Sequence, residues 1–269
     1  MLNALIVVWR ESLEAMLVIG VLLTWIARQP DPVRVRRSVW LGAAAGVVLA
    51  IAVGFATFLV QSQFAGQSLE VFQLGMLLFA AALIFQMVLW MHRHGRHMKR
   101  QLEARAEQSN GVLGVGAITA LAVAREGAET VVFVYGLGIQ AGGTQLLGLL
   151  TAAGAGMTLA AATAWVVARG ARYLNYRTLF RVSEILLLLI AGALLANGVD
   201  RMIALDWLPL ILDPVWDTSG IVDDSHGVGR LLASFLGYRA KPSGILLLVV
   251  ATYWCFAVWQ LKSENRRAA

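Results

Sequence analysis

Long stretches without a single Asp, Glu, Lys or Arg are the feature that most limits what this chain can fold into. Ser38–Leu69 spans 32 uncharged residues, Thr130–Ala168 spans 39 and Pro242–Leu261 spans 20. A helix crosses the core of a bilayer with roughly 20 apolar residues. The stretches do not alternate polar and apolar residues, as the strands of a membrane barrel would. They therefore predict an all-α, polytopic membrane protein.

The composition favours the same class. Charged residues make up 14% of the chain, whereas a soluble domain has about 25%. So few charges cannot cover a soluble surface. This excludes a soluble enzyme, a disordered protein and a nucleic-acid-binding domain, despite the net charge of +6. We expect the lipid bilayer as a partner, and no nucleic acid.

The uncharged stretches predict seven transmembrane helices, and the basic residues between them predict the orientation. Alternate connections and the C-terminus hold 16 Lys and Arg, whereas segment 200–241 holds four. Basic residues collect on the cytoplasmic side, so the N-terminus is expected outside and the C-terminus in the cytoplasm. The expected helices are 3–27, 39–61, 69–92, 112–139, 145–168, 178–199 and 243–261, with a short interfacial helix over 228–236.

The first and fourth predicted helices carry the same charged motif. Arg10-Glu11-Ser12-Leu13-Glu14 and Arg125-Glu126-Gly127-Ala128-Glu129 both read R-E-x-x-E, and they lie 115 residues apart. Each motif opens a set of three helices, and the two sets enter the membrane from opposite sides. This pattern predicts inverted repeats with a substrate site near the midplane. We expect one transmembrane domain, 1–269, made of repeat one (1–92), repeat two (112–199), an external loop (200–241) and a seventh helix (243–261).

The motif residues are costly in a membrane. A charged residue at a helix centre costs on the order of 2.5–3.5 kcal/mol on insertion scales, and an arginine reaches the glutamate four residues later. Two facing motifs would hold four carboxylates and two guanidiniums. Such an anionic, oxygen-rich site suits hard cations and iron. A purely structural salt bridge and a proton relay remain open. The residues concerned are Glu11, Glu14, Glu126 and Glu129, with Arg10 and Arg125 as charge partners.

The paired motifs in a seven-helix chain resemble the oxidase-dependent iron permease family, the high-affinity iron transporters of bacteria and fungi. The resemblance extends to Trp216-Asp217-Thr218-Ser219, Gly237-Tyr238 and Pro242-Ser243. It implies that the four motif glutamates bind iron in transit and that the two arginines are essential. It also implies a redox partner outside the membrane, which is a ferroxidase, a haem peroxidase or a cupredoxin-type protein.

One position departs from the family pattern. Members often carry an E-x-x-E pair near the start of the third helix, where this chain has Glu70 and Gln73. Glu70 could collect cations, or it could be an acid favoured by the helix dipole. Glu184 could be a ligand where ions leave, although a local pair with Arg181 is the stronger alternative.

Further candidates lie in the connections. The external segment could collect iron or dock a partner through its acids and one histidine, but turn and capping chemistry explains them more simply. A histidine tract at the cytoplasmic end of the third helix could release iron, although its basic neighbours repel cations. These candidates are Asp217, Asp223, Asp224 and His226 in the loop, and His92, His94 and His97 in the tract.

Together these features predict a multi-pass iron permease of the cytoplasmic (inner) membrane. It would not be an enzyme, and it would hold no tightly bound cofactor, because the iron ion is its substrate. The alternatives are a permease for another divalent metal or for protons, and a membrane-embedded oxidoreductase whose carboxylates hold a redox iron. The oxidoreductase would normally add histidine ligands within the bundle.

Overall fold

The computed structural model describes residues 2–27, 31–94, 98–109, 111–140, 146–169 and 176–268. Within these ranges the regular structure is helical and no strand occurs, which confirms the predicted all-α class. The helices are α1 (Leu2–Ile26), α2 (Pro32–Ser62), α3 (Gln67–His94), α4 (Met98–Gln108), α5 (Gly111–Gln140), α6 (Leu146–Ala168), α7 (Tyr176–Ala204), α8 (Gly227–Leu236) and α9 (Gly244–Ala268).

Five of the described helices are long and apolar enough to cross a membrane. They provide the spans Pro32–Ser62, Gln67–His92, Leu147–Ala168, Arg181–Ala204 and Gly244–Ser263. Helices α1 and α5 are of similar length, with 25 and 30 residues, but each carries the three charges of a motif. The chain is therefore a multi-pass membrane protein, while the count of seven spans and the orientation remain predictions.

Helix α2 begins seven residues before the expected start at residue 39. Pro32 occupies its first turn, and the Asp31 carboxylate accepts a hydrogen bond from the Arg34 amide. Proline fits a first turn because its missing N–H group is not needed there, and an aspartate cap supplies an acceptor for a free amide. Arg34, Arg36 and Arg37, which were predicted to lie in the connection before this helix, therefore lie on α2 itself.

Helix α4 was not predicted, because the charges of its residues indicated a connection between membrane spans. Leu102 and Ala106 lie one turn apart on this helix and are 9% and 3% exposed. They pack with Trp25 and Ile26 of α1. Helix α4 is therefore amphipathic and stabilised by tertiary packing of its apolar stripe.

The chain divides into two compact units. The first contains Met1–Ala65, His94–Val134 and Gln145–Tyr176, and the second contains Gly66–Arg93, Tyr135–Thr144 and Arg177–Ala269. Both motifs belong to the first unit, whereas α7, α8 and α9 belong to the second. The division into inverted repeats is a different partition, and it stays a prediction from the sequence.

Inside the first unit, each motif helix is packed tightly against a glycine of another helix. A Cβ atom on Gly156 of α6 would lie 2.7 Å from the Leu5 carbonyl oxygen and 3.0 Å from the Trp9 amide nitrogen of α1. The Trp9 indole also donates a hydrogen bond to Thr163 of α6, at 3.2 Å. Small residues allow this close approach between membrane helices.

Helices α2 and α5 cross each other in the same way as α6 and α1. A Cβ atom on Gly46 of α2 would lie 2.7 Å from the Ala120 carbonyl oxygen and 3.0 Å from the Ala124 amide nitrogen of α5. Ala120 and Ala124 follow Leu5 and Trp9 by 115 residues, which is the spacing of the two motifs. Each crossing therefore touches the residue directly before a motif arginine.

We expect leucine at Gly46 or Gly156 to lower the free energy of unfolding by about 1–3 kcal/mol, because overpacking a tight contact costs this much. Gly154, on the same helix as Gly156, has no atom within 4 Å of an added Cβ. Gly154→Leu should therefore cause no loss, and SDS titration of purified protein measures all three variants. An equal loss in Gly154→Leu would show that the crossings are not the cause.

Candidate metal site

Each motif arginine forms ion pairs with both glutamates of its own helix. On α1, Arg10 Nη1 lies 3.0 Å from Glu11 Oε1, and Nη2 lies 2.7 Å from Glu14 Oε1. On α5, Arg125 Nε lies 2.8 Å from Glu129 Oε1 and 4.0 Å from Glu126 Oε1. The contact four residues on is the one that helix geometry predicts. The contact with the adjacent glutamate was not expected.

The structure brings the two motifs together. One carboxylate oxygen from each of Glu11, Glu126 and Glu129 lies within 4.8 Å of the others. Their side chains are 1%, 10% and 15% exposed. The motifs therefore face each other. A site shared by both motifs requires this arrangement, whereas two separate structural salt bridges would not.

Three carboxylate oxygens at this point are buried without a hydrogen-bond partner among the described residues. They are Glu11 Oε2, Glu126 Oε2 and Glu129 Oε2. A buried polar atom without a partner is destabilising, and a buried charge more so. A cation between the oxygens would compensate for this cost. Small divalent ions bind oxygen at about 2.1 Å, so ligands on opposite sides lie about 4.2 Å apart, which is compatible with three carboxylates that each have an oxygen within 4.8 Å of the others.

Glu14 is held differently from the other three glutamates. Its carboxylate is paired with Arg10, and it is not one of the three residues within 4.8 Å of one another. It still interacts electrostatically with Glu126 and Arg125 of the other motif. All four glutamates therefore contribute to the field of the site, but three of them converge.

The two arginines differ in their surroundings. The Arg10 side chain is 1% exposed, whereas that of Arg125 is 48% exposed. The identical motifs therefore have unequal environments, a difference that the sequence pattern did not indicate.

Gln73, where the family often has an acid, lies in a polar contact of the second unit. It accepts a hydrogen bond from Arg201 Nη1 of α7, at 3.2 Å. Nη2 of the same guanidinium donates to the Ile139 carbonyl of α5, at 3.3 Å. Glu70 lies exposed in the first turn of α3. The departure at Gln73 was visible in the sequence, but its partner Arg201 was not.

Glu184 contacts His92, the first residue of the histidine tract. Its Oε2 atom lies 3.6 Å from His92 Nδ1 of α3, and both side chains are largely buried, at 16% and 27% exposed. This contact between helices was not expected, since the sequence favoured a local pair with Arg181. The His94 side chain and all of His97 lie outside the described residues.

Asp217 and Asp223, in the segment predicted to be an external loop, are engaged in local contacts. Asp217 accepts hydrogen bonds from the Ser219 amide and hydroxyl, at 3.0 and 2.6 Å, and pairs with Lys241 at 3.0 Å. Asp223 accepts from the amide and hydroxyl of Ser225, both at 2.8 Å.

The two remaining loop candidates have contacts of other kinds. Asp224 accepts a hydrogen bond from the Ala240 amide, 16 residues along the chain. His226 occupies the N-cap position of α8 without a side-chain capping hydrogen bond, and its Nδ1 lies 3.5 Å from Asp223 Oδ2. Turn contacts thus account for Asp223 and for part of the contacts of Asp217, while the role of all four residues in collecting iron or docking a partner stays a prediction.

Comparison with known proteins adds a family match. Residues 1–263 match the family described as the Iron permease FTR1 family. Among curated proteins, the "Ferrous iron permease EfeU" of Yersinia pestis is 25% identical over 248 residues, which cover 88% of this chain and 85% of the relative. No solved structure matches the chain.

Two further relatives span most of the chain. The "High affinity iron permease 1" of Rhizopus delemar is 25% identical and covers 97% of this chain and 82% of its own length. The "Ferrous iron permease EfeU" of Escherichia coli O6:H1 (strain CFT073) is 26% identical over 250 residues, covering 88% and 87%.

We expect Arg10→Met to destabilise the protein by about 3–5 kcal/mol, the usual cost of removing one partner from a buried ion pair. Arg125→Met should cost less, since solvent screens a half-exposed guanidinium. Thermal unfolding in detergent compares the two variants, with the exposed Arg181→Met as a control. Equal losses for the two motif arginines would contradict the difference in burial.

The loop ion pair should withstand acid. Hydrogen bonds from Ser219, and then the contact with Lys241, lower the pKa of Asp217 to about 2. A lowered pKa means that this stabilisation is complete above the ordinary value near 3.8 and is lost as the pH falls through about 2. Carboxyl ¹³C NMR should show that Ser219→Ala raises the Asp217 pKa more than Lys241→Met does. A larger effect of Lys241→Met would reverse this order of causes.

Proposed function

Because the chain belongs to the Iron permease FTR1 family, we propose that it carries iron ions across the cytoplasmic membrane through the glutamates of its two motifs. The observation that supports this is the convergence of Glu11, Glu126 and Glu129, whose carboxylate oxygens lie within 4.8 Å of one another. Each keeps one buried oxygen without a hydrogen-bond partner among the described residues. Iron is the substrate of the site.

The charges support a cation as the substrate. The two motifs contribute four carboxylates and two guanidiniums, so the ionised site has a net charge of −2. A divalent ion would balance this charge. Iron in helical proteins is accommodated by clusters of carboxylate ligands. The arginines then have a second role, since they limit the repulsion among the carboxylates while the ion is absent.

We assign different tasks to the four glutamates. Glu11, Glu126 and Glu129 would hold the ion in the conformation described here. Glu14 would be a fourth ligand that the ion reaches when Arg10 releases it. Passage to the cytoplasm would then require a movement of the two repeats against each other, as in other transporters with inverted repeats.

Carboxylate ligands alone do not determine the oxidation state of the iron. The relatives from Yersinia pestis and Escherichia coli are named ferrous iron permeases, so Fe²⁺ is the form to test first. We also propose a redox partner on the outer face, of the ferroxidase, haem peroxidase or cupredoxin type. Ions would arrive on the side of the membrane that carries the acidic external loop and Glu70.

Glu→Gln substitutions at the four motif positions test the proposal. Glutamine keeps the size of the side chain and removes its charge. We expect Fe²⁺ uptake into proteoliposomes to fall at least about tenfold for Glu11, Glu126 and Glu129, because even the loss of an outer-shell partner commonly costs 10–100-fold in metal affinity. Radioactive iron measures uptake, and gel filtration verifies folding.

Glu107→Gln is the matched control, since this glutamate lies exposed on α4 and outside the site. It should transport iron normally. Normal uptake by folded Glu11→Gln, Glu126→Gln and Glu129→Gln proteins would overturn the proposal. Competition by Mn²⁺ or Zn²⁺, and acidification of the liposome interior without iron, would instead identify another divalent metal or protons as the substrate.

A further inference from the structure

Helix α8 has an apolar face that the described residues leave uncovered. At 100° per residue, Val228, Leu231, Leu232, Phe235 and Leu236 lie on one side of this ten-residue helix. Val228, Leu231 and Leu236 are 68%, 54% and 48% exposed. A helix of this length is too short to span a bilayer, but it suits a re-entrant or interfacial segment.

Contacts with α7 place the end of α8 beside the uncharged part of a helix that is long and apolar enough to span a membrane. A Cβ atom on Gly237, the residue after α8, would lie 3.0 Å from Ala196 Cβ and 3.3 Å from Ala193 Cα. Both alanines belong to the span Arg181–Ala204. The uncharged part of α7 ends before Asp200. At 1.5 Å per residue, Gly237 lies roughly 6–10 Å deeper than Asp200.

Contacts between α7 and α9 give the level at which α9 begins. Leu246 of α9 packs with Val199, and Tyr253 lies against Gly192. Helices α7 and α9 therefore run antiparallel, and the start of α9 lies near the level of residue 200. Gly237 contacts α7 several residues deeper than this. These contacts fit a chain that leaves the membrane after α7, returns into it with α8 and rises again before α9 begins.

The backbone that follows α8 is hydrogen-bonded as such a depth requires. Peptide groups without water must find partners within the protein. The amides of Gly237 and Tyr238 donate to carbonyls of α8, and the Ala240 amide donates to Asp224. The Ala240 carbonyl accepts from Thr218.

The charge in this turn is compensated as well. The Arg239 guanidinium donates to Asp200 at 2.7 Å, to Asn197 at 2.9 Å and to the Tyr238 carbonyl at 3.0 Å. The left-handed backbone of Gly237, with φ of 69°, allows the chain to turn directly after α8. The turn after α8 can therefore enter an apolar environment with these polar groups paired, while the exposed Arg230 lies on the side of α8 opposite its apolar face.

We propose that residues 227–241 form a re-entrant segment and that acyl chains of the adjacent leaflet cover the exposed face of α8. The depth of Gly237, the hydrogen-bonded turn and the exposure of three large apolar residues support this arrangement. The segment would have it whichever ion the protein carries. The partner of this surface is lipid rather than another protein.

Spin labels in nanodiscs test the proposal. In a Cys255→Ala background, single cysteines at Val228, Leu231 and Leu236 carry the label, and accessibility to oxygen and to a nickel chelate is measured. Leu248→Cys on α9, 67% exposed within its span, is the lipid reference. Gly220→Cys, exposed and with open space around it, is the water reference.

We expect the three α8 labels to show the oxygen-to-nickel accessibility ratio of Leu248→Cys, well above that of Gly220→Cys. A ratio equal to that of Gly220→Cys would show that α8 lies in water. Protection from both reagents would show that a protein surface, such as a second copy of the chain, covers it. Either result overturns the proposal, and three separate positions keep the test valid if one variant does not fold.

Discussion

The ion pairs of Arg10 with Glu11 and Glu14 are the interaction on which the rest of the first unit depends. A helix as apolar as α1 can hold three charges only if they compensate one another and if the remaining charge faces a partner. The arginine meets the first condition along its own helix. The second condition requires α5, whose motif lies opposite. The charged motif residues thus determine that α1 and α5 must meet, and the apolar residues around them pack accordingly.

The helix crossings bring these charges together. Gly46 and Gly156 let the backbones of α5 and α1 approach their neighbours directly before each motif arginine, so the motifs are held by contacts one residue away. Repulsion among the carboxylates opposes this approach, and the close packing must balance it. The cation that we propose would relieve part of this repulsion at the unpartnered oxygens of Glu11, Glu126 and Glu129.

Much of the helical architecture was predictable from the sequence, because charged residues and unpaired backbone groups are costly in a bilayer. The seven long helices were predicted to within a few residues at most of their ends, and the facing motifs followed from the cost of buried charge. Helix α4 was not predicted because its charged residues indicated exposure to solvent, and exposure to solvent does not exclude a helix. The pairs Arg201–Gln73 and His92–Glu184 join helices distant in the chain, and residues with no fixed spacing give no local signal.

The two helix crossings also show whether half of this chain could form the site alone. The glycine that receives α1 belongs to α6, and the glycine that receives α5 belongs to α2. A chain ending after α3 would keep a charged motif and lose both its facing carboxylates and the helix surface that holds it in place. It could recover them only from a second molecule. Each motif helix is therefore packed against a helix of the other sequence repeat, so neither repeat could complete the site alone.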